Sequence, residues 1–247
     1  MTADAALRIN KYLSERGLCS RREADSWIAA GRVTVNGAVA TLGTRVGPAD
    51  VVEVDGHAAG AIAAPVYIAL HKPVGIECTT DTRVPHNIVD FVAHRERVFP
   101  IGRLDKDSEG LILLTNDGDS VNRLLRVEHR HEKEYLVTVD RPVTPEFLKA
   151  MASGVEILGR ITAPARTELA GKNMFRIVLT QGLNRQIRRM CDAFGYTVRK
   201  LVRVRFVNVR LEGIEPGRWR NLTKAELAGL LPAKTTARPP AAEDDSQ

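Results

Sequence analysis

The residues FPIGRLDKDSEGLILLTNDGD, numbers 99–119, place a charged loop between two apolar segments. The apolar segments have the composition of buried strands, so the charged residues between them are predicted to form a loop. Loops held between strands commonly display reactive side chains, and Asp105 occupies such a position. An Asp in a turn more often accepts a local hydrogen bond. Asp107 and Glu109 lie close by, so spacing alone leaves the identity of the reactive carboxylate open.

The segments on either side of this loop predict a domain that mixes helices and strands. Strands are predicted at residues 67–70, 98–101, 111–114, 135–139, 175–179 and 201–211, and helices near 119–126, 144–152 and 184–194. The fold class is therefore α+β. We expect this larger domain to span 66–232, after an Ala- and Gly-rich linker at 61–65 and before a disordered tail at 233–247.

Residues 7–60 have a different pattern and predict a separate small α/β module. Apolar residues repeat at helical spacing up to Gly17, and Ser20 and Glu23 match the capping box that begins a second helix. A hairpin follows around Asn36-Gly37. Basic residues outnumber acids on or beside the two helices: Arg8, Lys11, Arg16, Arg21, Arg22 and Arg32 against Glu15, Glu23 and Asp25. By composition alone this surface would be a solvated helical face.

The strongest concentration of positive charge lies near the C-terminus. Residues 181–220 hold ten Lys or Arg against three acids, a net of +7 in a chain whose total is +6. The remainder of the chain is therefore close to neutral. Such concentration favours a surface that binds phosphates, because each neutralised phosphate releases condensed counterions.

The helix predicted at 184–194 contributes part of this charge. One face is apolar and the opposite face polar: Ile187, Met190, Cys191 and Phe194 against Arg185, Arg189 and Asp192. Arg188 lies at the border, roughly 100° from Ile187 around the helix axis. Its guanidinium can reach a partly buried carboxylate or extend to solvent, and helix geometry does not decide between the two.

Composition and the missing motifs exclude several classes of protein. The 247 residues suffice for one or two domains with a hydrophobic core and no disulfide framework. Three widely spaced cysteines and no apolar run of spanning length favour a cytoplasmic protein without membrane association. The sequence has no P-loop, dinucleotide-binding or calcium-binding signature. His129 and His131 have no neighbouring ligands, so we expect no metal.

Several segments, in order, resemble one enzyme family. The loop at 99–119 is preceded by HKPVG at 71–75 and followed by HEKEYLVTV at 131–139, GLNRQIRRMCDAFGY at 182–196 and KLVRVRF at 200–206. Together they are similar to the pseudouridine synthases of the ribosomal small-subunit synthase A family, whose catalytic domain is built mainly on an antiparallel sheet. The stretch LRINKYLSERGLCSRREADSWIAAGRVTVNG, at 7–37, resembles the S4-type RNA-binding domain. Several spaced motifs in order are stronger evidence than one pattern.

The resemblance implies an isomerase that converts uridine in RNA to pseudouridine and needs no cofactor. It implies that Asp105 is the nucleophile, that Tyr135 stacks on the target uracil and that Arg188 pairs with the aspartate. Leu201 matches the family's apolar pocket position. These residue types suit the chemistry, because a bidentate Arg keeps a desolvated carboxylate ionised and an aromatic ring replaces stacking that a flipped base loses.

Other positions remain ambiguous in the sequence. Arg103 either holds the Asp105 loop or contacts RNA, and Lys72 shapes the pocket floor, contacts phosphate or simply ends a strand at a turn. The remaining candidate RNA-binding residues are basic side chains of the two modules: Arg185, Arg189, Arg8, Lys11, Arg21 and Arg22.

The expected partner is 23S rRNA, bound by a monomer because the sequence has no coiled-coil heptads. A uridine in 16S rRNA or tRNA is the alternative substrate. The alternative from another class is a noncatalytic RNA-binding or ribosome-assembly protein that keeps the S4-like module and the basic surface.

Overall fold

A computed structural model describes residues 6–125 and 131–231. The predicted tail at 233–247 and His129 lie outside these residues. Within the described ranges the chain forms a small N-terminal module and a larger module built on a nine-stranded sheet. The predicted α+β class is confirmed, and the pairings described in the large sheet are antiparallel except one.

The N-terminal module packs two helices against short strands. Its elements are β1 (Leu7–Arg8), α1 (Ile9–Glu15), α2 (Arg21–Ala29), β2 (Val33–Val35), β3 (Ala38–Val39), β4 (Arg45–Val46), β5 (Val52–Val54) and β6 (His57–Ala58). The predicted capping box begins α2, since Ser20 Oγ accepts from the Glu23 amide at 3.1 Å. Asn36 and Gly37 both have positive φ, as a two-residue hairpin between β2 and β3 requires.

The larger module begins after the Ala- and Gly-rich segment. Its elements are β7 (Tyr67–Lys72), α3 (Ile88–Val92), β8 (Phe99–Ile101), β9 (Glu109–Thr115), α4 (Gly118–Leu125), β10 (Lys133–Val139), α5 (Pro145–Ser153), β11 (Glu156–Ile157), β12 (Arg160–Ile161), β13 (Arg166–Gly171), β14 (Met174–Leu179), α6 (Gln186–Ala193), β15 (Val198–Phe206), β16 (Val209–Arg210), β17 (Trp219–Asn221) and α7 (Lys224–Leu230). The strand order is β13-β14-β10-β15-β9-β7-β17, with β16 beside β15 and β8 beside β9.

Strands β7 and β9 carry apolar residues on both faces because the sheet is covered on both sides there. Ile112 and Leu114 pack into one buried cluster, whereas Leu111 and Leu113 pack into another on the opposite face. Alternation along a strand sends successive side chains to opposite faces, so a continuous apolar run marks a strand buried on both sides. This explains why the apolar segment LILL, at 111–114, sits at the centre of the sheet.

The parallel pair of β9 and β15 brings the two halves of the module together. Gly110 lies opposite Arg203 in this pairing and has φ of +111°. A Cβ at Gly110 would lie 2.6 Å from the Arg203 backbone nitrogen. A glycine is therefore required where β9 begins, because only glycine combines this φ with so close a backbone approach.

One predicted strand is wrong in its extent, and some elements were not predicted. The segment 201–211 is not a single strand, because β15 ends at Phe206 and Val207 turns the chain with φ of +54° into β16. The exposed edge strand β13 lacks apolar alternation, and α3 has only five residues, so neither gives a clear periodic signal. Among the helices of the described ranges, none is long and apolar enough to cross a membrane.

Candidate active site

The loop between β8 and β9 presents Asp105 from a firmly anchored position. Leu104, immediately before it, is buried in the apolar cluster on one face of β7 and β9. On the other side, the Ser108 amide donates to the Asp105 carbonyl at 3.1 Å and Ser108 is buried. The Asp105 side chain is 34% exposed, so the carboxylate is displayed between two buried neighbours.

Asp105 lines a cavity of about 400 Å³. The walls come from three segments: Val74, Gly75, Glu77 and Cys78 after β7, residues 103–107 of the β8–β9 loop, and Arg185 before α6. Cavities of this size lie within the range of small-molecule sites. Burial raises the pKa of the Cys78 thiol, so this cysteine stays protonated and does not compete as a nucleophile.

The three acids of the loop have different partners. Glu109 pairs with Lys200 at 2.8 Å and is not among the residues that line the cavity. Asp107 accepts two hydrogen bonds from Arg185, at 3.1 and 2.9 Å. The Asp105 carboxylate accepts no hydrogen bond from any residue that the structure describes, and its nearest cation is Arg185 at 3.9 Å. Asp105 is therefore the least engaged carboxylate of the three.

The predicted ion pair between Arg188 and Asp105 is wrong for this structure. Arg188 lies at the border of α6 as predicted, with its side chain 12% exposed, but its Nη2 donates to the Asp107 carbonyl at 3.0 Å. Its Nε lies 3.4 Å from Asp107 Oδ2. Arg185, at the N-cap in left-handed backbone conformation, extends toward Asp105 instead. The helix phase determines how deeply Arg188 is buried, whereas the N-cap geometry determines which arginine reaches the aspartate.

Asp107 thus holds both arginines beside the cavity. The hydrogen bonds from Arg185, with the nearby Arg188 charge, lower the pKa of the Asp107 carboxyl. The same interaction raises the pKa of Arg185. Asp107 is therefore ionised at neutral pH, and Arg185 bridges the two carboxylates of the loop.

Lys72 is completely buried and cannot contact an RNA phosphate, which excludes that predicted role. Its ammonium donates to the carbonyls of Pro73, at 2.9 Å, and Ile76, at 2.8 Å. Burial lowers the pKa of Lys72. The lysine holds the turn that contains Val74 and Gly75, and both of these residues line the cavity. Its contacts therefore agree with the predicted alternative in which Lys72 shapes the pocket.

Tyr135 and Leu201 lie on the neighbouring strands β10 and β15. Tyr135 is half-buried and packs against the cluster that contains Leu104, next to Asp105 in sequence, and against the core beside α6. Leu201 is 6% exposed and belongs to that second core. Neither side chain is among those that line the cavity. The structure therefore brings Tyr135 near the loop and places Leu201 in the core behind it.

Two further arginines flank the cavity differently. Arg103 lines it, is exposed, and makes no hydrogen bond or ion pair with any described residue. Arg189 bonds back to Asn184, at 3.1 Å to the carbonyl and 3.3 Å to the side-chain oxygen. Arg103 is therefore available to bind an anion. The alternative in which Arg103 holds the Asp105 loop would require it to bond to that loop.

Comparison with known proteins decides the family. A family model described as RNA pseudouridylate synthase matches residues 66–193, and a model described as S4 domain matches residues 7–52. The chain belongs to the RNA pseudouridylate synthase family. The predicted family, with its S4 domain, is confirmed, and the protein is an RNA pseudouridine synthase, an isomerase.

Relatives of this synthase cover nearly its whole length. It is 56% identical to dual-specificity RNA pseudouridine synthase RluF of Escherichia coli strain K12, over 94% of this chain and 80% of that protein. It is 36% identical to ribosomal large subunit pseudouridine synthase B of Bacillus subtilis strain 168, over 90% and 95%. A solved structure described as crystal structure of pseudouridylate synthase aligns with a TM-score of 0.67 and 30% identity, covering 92% of this chain and all of that one.

The basic residues predicted on the S4 domain of the synthase differ in availability. Arg8, Arg21 and Arg22 are exposed and make no ion pair within the described ranges. Lys11 instead pairs with Glu15 at 3.3 Å and with Asp119 of α4 at 2.9 Å. Its contact with Asp119 raises the pKa of Lys11 and joins the S4 domain to the catalytic domain.

Two buried charged residues of the synthase were not predicted from the sequence. Glu134, next to Tyr135, is 7% exposed and binds Arg176 and Arg205 of the flanking strands. Arg203 is 3% exposed and its Nε donates to the Leu111 carbonyl at 2.6 Å. The sequence does contain a signal for these residues: acids alternate along one segment and arginines alternate along another. Alternation along a strand places the acids on one face of their strand and the arginines on one face of the paired strand.

Proposed function

We propose that this synthase isomerises a specific uridine of large-subunit (23S) rRNA, with Asp105 as the attacking carboxylate. The single observation that carries the choice of residue is that Asp105 alone among the three loop acids lines the cavity without a hydrogen-bond partner in the described chain. The printed name of the Bacillus subtilis relative, a ribosomal large subunit synthase, supports the choice of RNA.

The reaction breaks one bond of uridine and makes another. The carboxylate either attacks C1′ of the ribose or assists departure of uracil through a glycal intermediate, so the N1–C1′ bond breaks. The uracil then rotates and C5 bonds to C1′ as the Asp105–C1′ bond of the first route breaks, or as the 2′ proton returns to the glycal of the second. The hydrogen on C5 leaves as a proton while N1 gains one. The product is an isomer of the substrate, so the reaction requires no oxidant and no energy source.

Arg185 is proposed to be the counterion of Asp105. At 3.9 Å its guanidinium stabilises the carboxylate without bonding it directly, which leaves both oxygens available to the sugar. Arg188 is proposed to act one step away, since its bonds to the Asp107 carbonyl and the Ser108 hydroxyl hold the loop. Asp107 fixes Arg185 in this position.

Tyr135 and Arg103 are proposed to handle the flipped base. A uridine inside folded RNA must leave its stack before C1′ can meet Asp105, which costs a few kcal/mol of unstacking. Tyr135 lies against the apolar cluster around Leu104 and can compensate by stacking on uracil once the base enters. Arg103 lines the cavity, pairs with none of the residues that the structure describes, and supplies a positive charge for the adjoining phosphate.

The S4 domain, proposed to span 7–60, grips an RNA helix through Arg8, Arg21 and Arg22, followed by the linker at 61–65 and the catalytic domain at 66–232. We further propose that Arg185 and Arg189 extend this RNA contact, that the protein acts as a monomer, and that it works in the cytoplasm. The three free, buried cysteines support a reducing compartment.

A second RNA substrate is proposed beside 23S rRNA. The 56% identical relative bears the name dual-specificity RNA pseudouridine synthase, which favours action on more than one RNA. A tRNA uridine is the candidate.

The test is carbodiimide mapping of pseudouridine after purified protein is incubated with 23S rRNA, 16S rRNA or tRNA transcripts. We expect one modified uridine in 23S rRNA and none in 16S rRNA, and a tRNA product if specificity is dual. The Asp105→Asn variant is the control, since it keeps the size of the side chain. Modification confined to 16S rRNA would contradict the proposed substrate.

A further inference from the structure

A groove lies between the S4 domain and the catalytic domain, apart from the active-site cavity. It encloses about 310 Å³. On one side it is lined by the end of α1 and the start of α2, including Glu15 and Arg21. On the other side it is lined by Thr80 and by residues around β8 and α4, including Arg97 and Phe99. The ion pair of Lys11 with Asp119 bridges the same two helices, α1 and α4.

Two guanidinium groups that line this groove have no hydrogen-bond or ion-pair partner in the described ranges. Arg21 and Arg97 make no hydrogen bond or ion pair with the residues that the structure describes, and Arg97 is partly buried. The acid in the groove, Glu15, pairs with Lys11 at 3.3 Å, and Lys11 also pairs with Asp119 at 2.9 Å, so neither acid pairs with Arg21 or Arg97. A partly buried cation without a counterion loses hydration that nothing compensates, so this arrangement favours an anionic ligand.

The groove follows directly from the wall of the active-site cavity. Glu77 and Cys78 line the cavity and Thr80 lines the groove, so a short stretch of backbone separates them. Two residues of extended chain span at most about 7 Å. The segment around Cys78 and Thr80 therefore contributes to the walls of both the cavity and the groove.

We propose that the groove between the two domains binds the RNA backbone next to the target uridine, with Arg21 and Arg97 each contacting a phosphate. This inference rests on the proposed function, since it takes RNA as the substrate. Phe99, which lines the groove, adds an aromatic ring of the kind on which unpaired bases stack. In this proposal Arg21 and Arg97 extend the RNA-binding surface of the S4 domain, and Arg103 adds a positive charge at the active-site cavity.

The experiment measures RNA binding as a function of salt for Arg21→Gln, Arg97→Gln and the double variant. Each lost phosphate contact lowers the slope of log K against log salt by about 0.7 for single-stranded RNA, which corresponds to about a fivefold weaker Kd at 0.1 M salt. We expect each single variant to show this change and the double variant to show about twice the change in slope.

The matched control is Lys172→Gln, which removes one exposed cation in the turn between β13 and β14 at the opposite end of the sheet. We expect wild-type binding from it. Arg97→Lys keeps the charge and should recover most of the affinity lost in Arg97→Gln, which a folding defect would not allow. An Arg97→Gln protein with the salt slope of Lys172→Gln would overturn the inference.

Pseudouridine formation by the wild-type protein is measured in the same samples. If the wild type modifies RNA and Arg97→Gln binds RNA as the wild type does, only the proposal that the groove binds RNA is refuted. A wild type that binds RNA but forms no pseudouridine refutes the proposed function and leaves the groove to be judged by the salt slopes.

Discussion

Replacing Glu134 by Gln should destabilise the catalytic domain. Glu134 is 7% exposed on β10, and its two oxygens accept from Arg176 of β14 at 2.5 Å and from Arg205 of β15 at 2.6 Å. The carboxylate therefore ties together three adjacent strands at the residue before Tyr135. An amide of the same shape retains one acceptor oxygen but removes the charge.

The magnitude follows from the burial of each partner. Breaking a buried ion pair by removing one partner costs about 3–5 kcal/mol. The Arg205 side chain is 13% exposed and falls in that class, whereas Arg176 is 41% exposed and contributes only about 0.2–1 kcal/mol. Because the Gln oxygen retains one hydrogen bond, we expect a loss of about 2–4 kcal/mol in the free energy of unfolding.

Urea unfolding measures this loss. With a slope of about 1–3 kcal/mol per M, the midpoint should fall by roughly 1 M or more. Glu132→Gln is the matched control, because Glu132 also binds Arg205, at 3.0 Å, but is 33% exposed. It should lose about 1 kcal/mol or less. Equal losses in the two variants would refute the reasoning from burial.

The pH dependence provides a second measure of the same pair. Burial raises the pKa of Glu134, but the hydrogen bonds from Arg205 and Arg176 outweigh it, so the pKa in the folded protein is lowered from 4.5. The unfolded state thus binds its proton at higher pH, and the pair stabilises the protein fully above about pH 4.5. This stability is lost as the pH falls through the folded pKa. The difference between wild type and Glu134→Gln should narrow at acidic pH.

Two further changes test the positions that shape the site. Lys72→Met should cost about 2–4 kcal/mol in urea unfolding, because the Pro73 and Ile76 carbonyls lose their donor. Burial lowers the pKa of Lys72 from 10.5 in the folded protein. Wild type should therefore gain stability relative to Lys72→Met as the pH rises from the folded pKa toward 10.5. A difference in unfolding free energy that stays constant over this range would contradict the burial of an ammonium group. Gly110→Ala should cost at least about 3 kcal/mol, because its φ alone costs about 1–3 kcal/mol and its Cβ would meet the Arg203 backbone. Gly195→Ala is its control, with φ of +73° but open space around the Cβ, and an equal loss there would show that the close approach is unimportant.

Much of the scaffold could be predicted from local patterns. The capping box at Ser20, the Asn36-Gly37 turn and the doubly buried strand at 111–114 each depend on neighbours in sequence. The edge strand β13 and the turn at Val207 could not, because β13 lacks apolar alternation and Val207-Asn208 lacks the Asn-Gly or Asp-Gly signature of a two-residue hairpin.

The candidate site, like the scaffold, could be predicted from the sequence only in part. The loop position of Asp105 follows from the strands around it, and the border position of Arg188 follows from helix phase. Which arginine meets Asp105 depends on the left-handed N-cap at Arg185, which no helical pattern specifies. A lysine at a strand end reads the same in sequence whether it faces solvent or, like Lys72, closes a buried turn.

The most direct test of the central assignment is single-turnover release of tritium from C5-labelled uridine in 23S rRNA by Asp105→Asn, Asp107→Asn and Glu109→Gln. Each change removes one charge from the loop between β8 and β9 or from the first residue of β9. We expect the rate of tritium release by Asp105→Asn to fall by about 10³-fold or more, as when a nucleophile is removed, and the rates of the other two variants to stay within about tenfold of wild type. Release by Asp105→Asn at the wild-type rate, or its loss in Asp107→Asn or Glu109→Gln alone, would contradict the assignment.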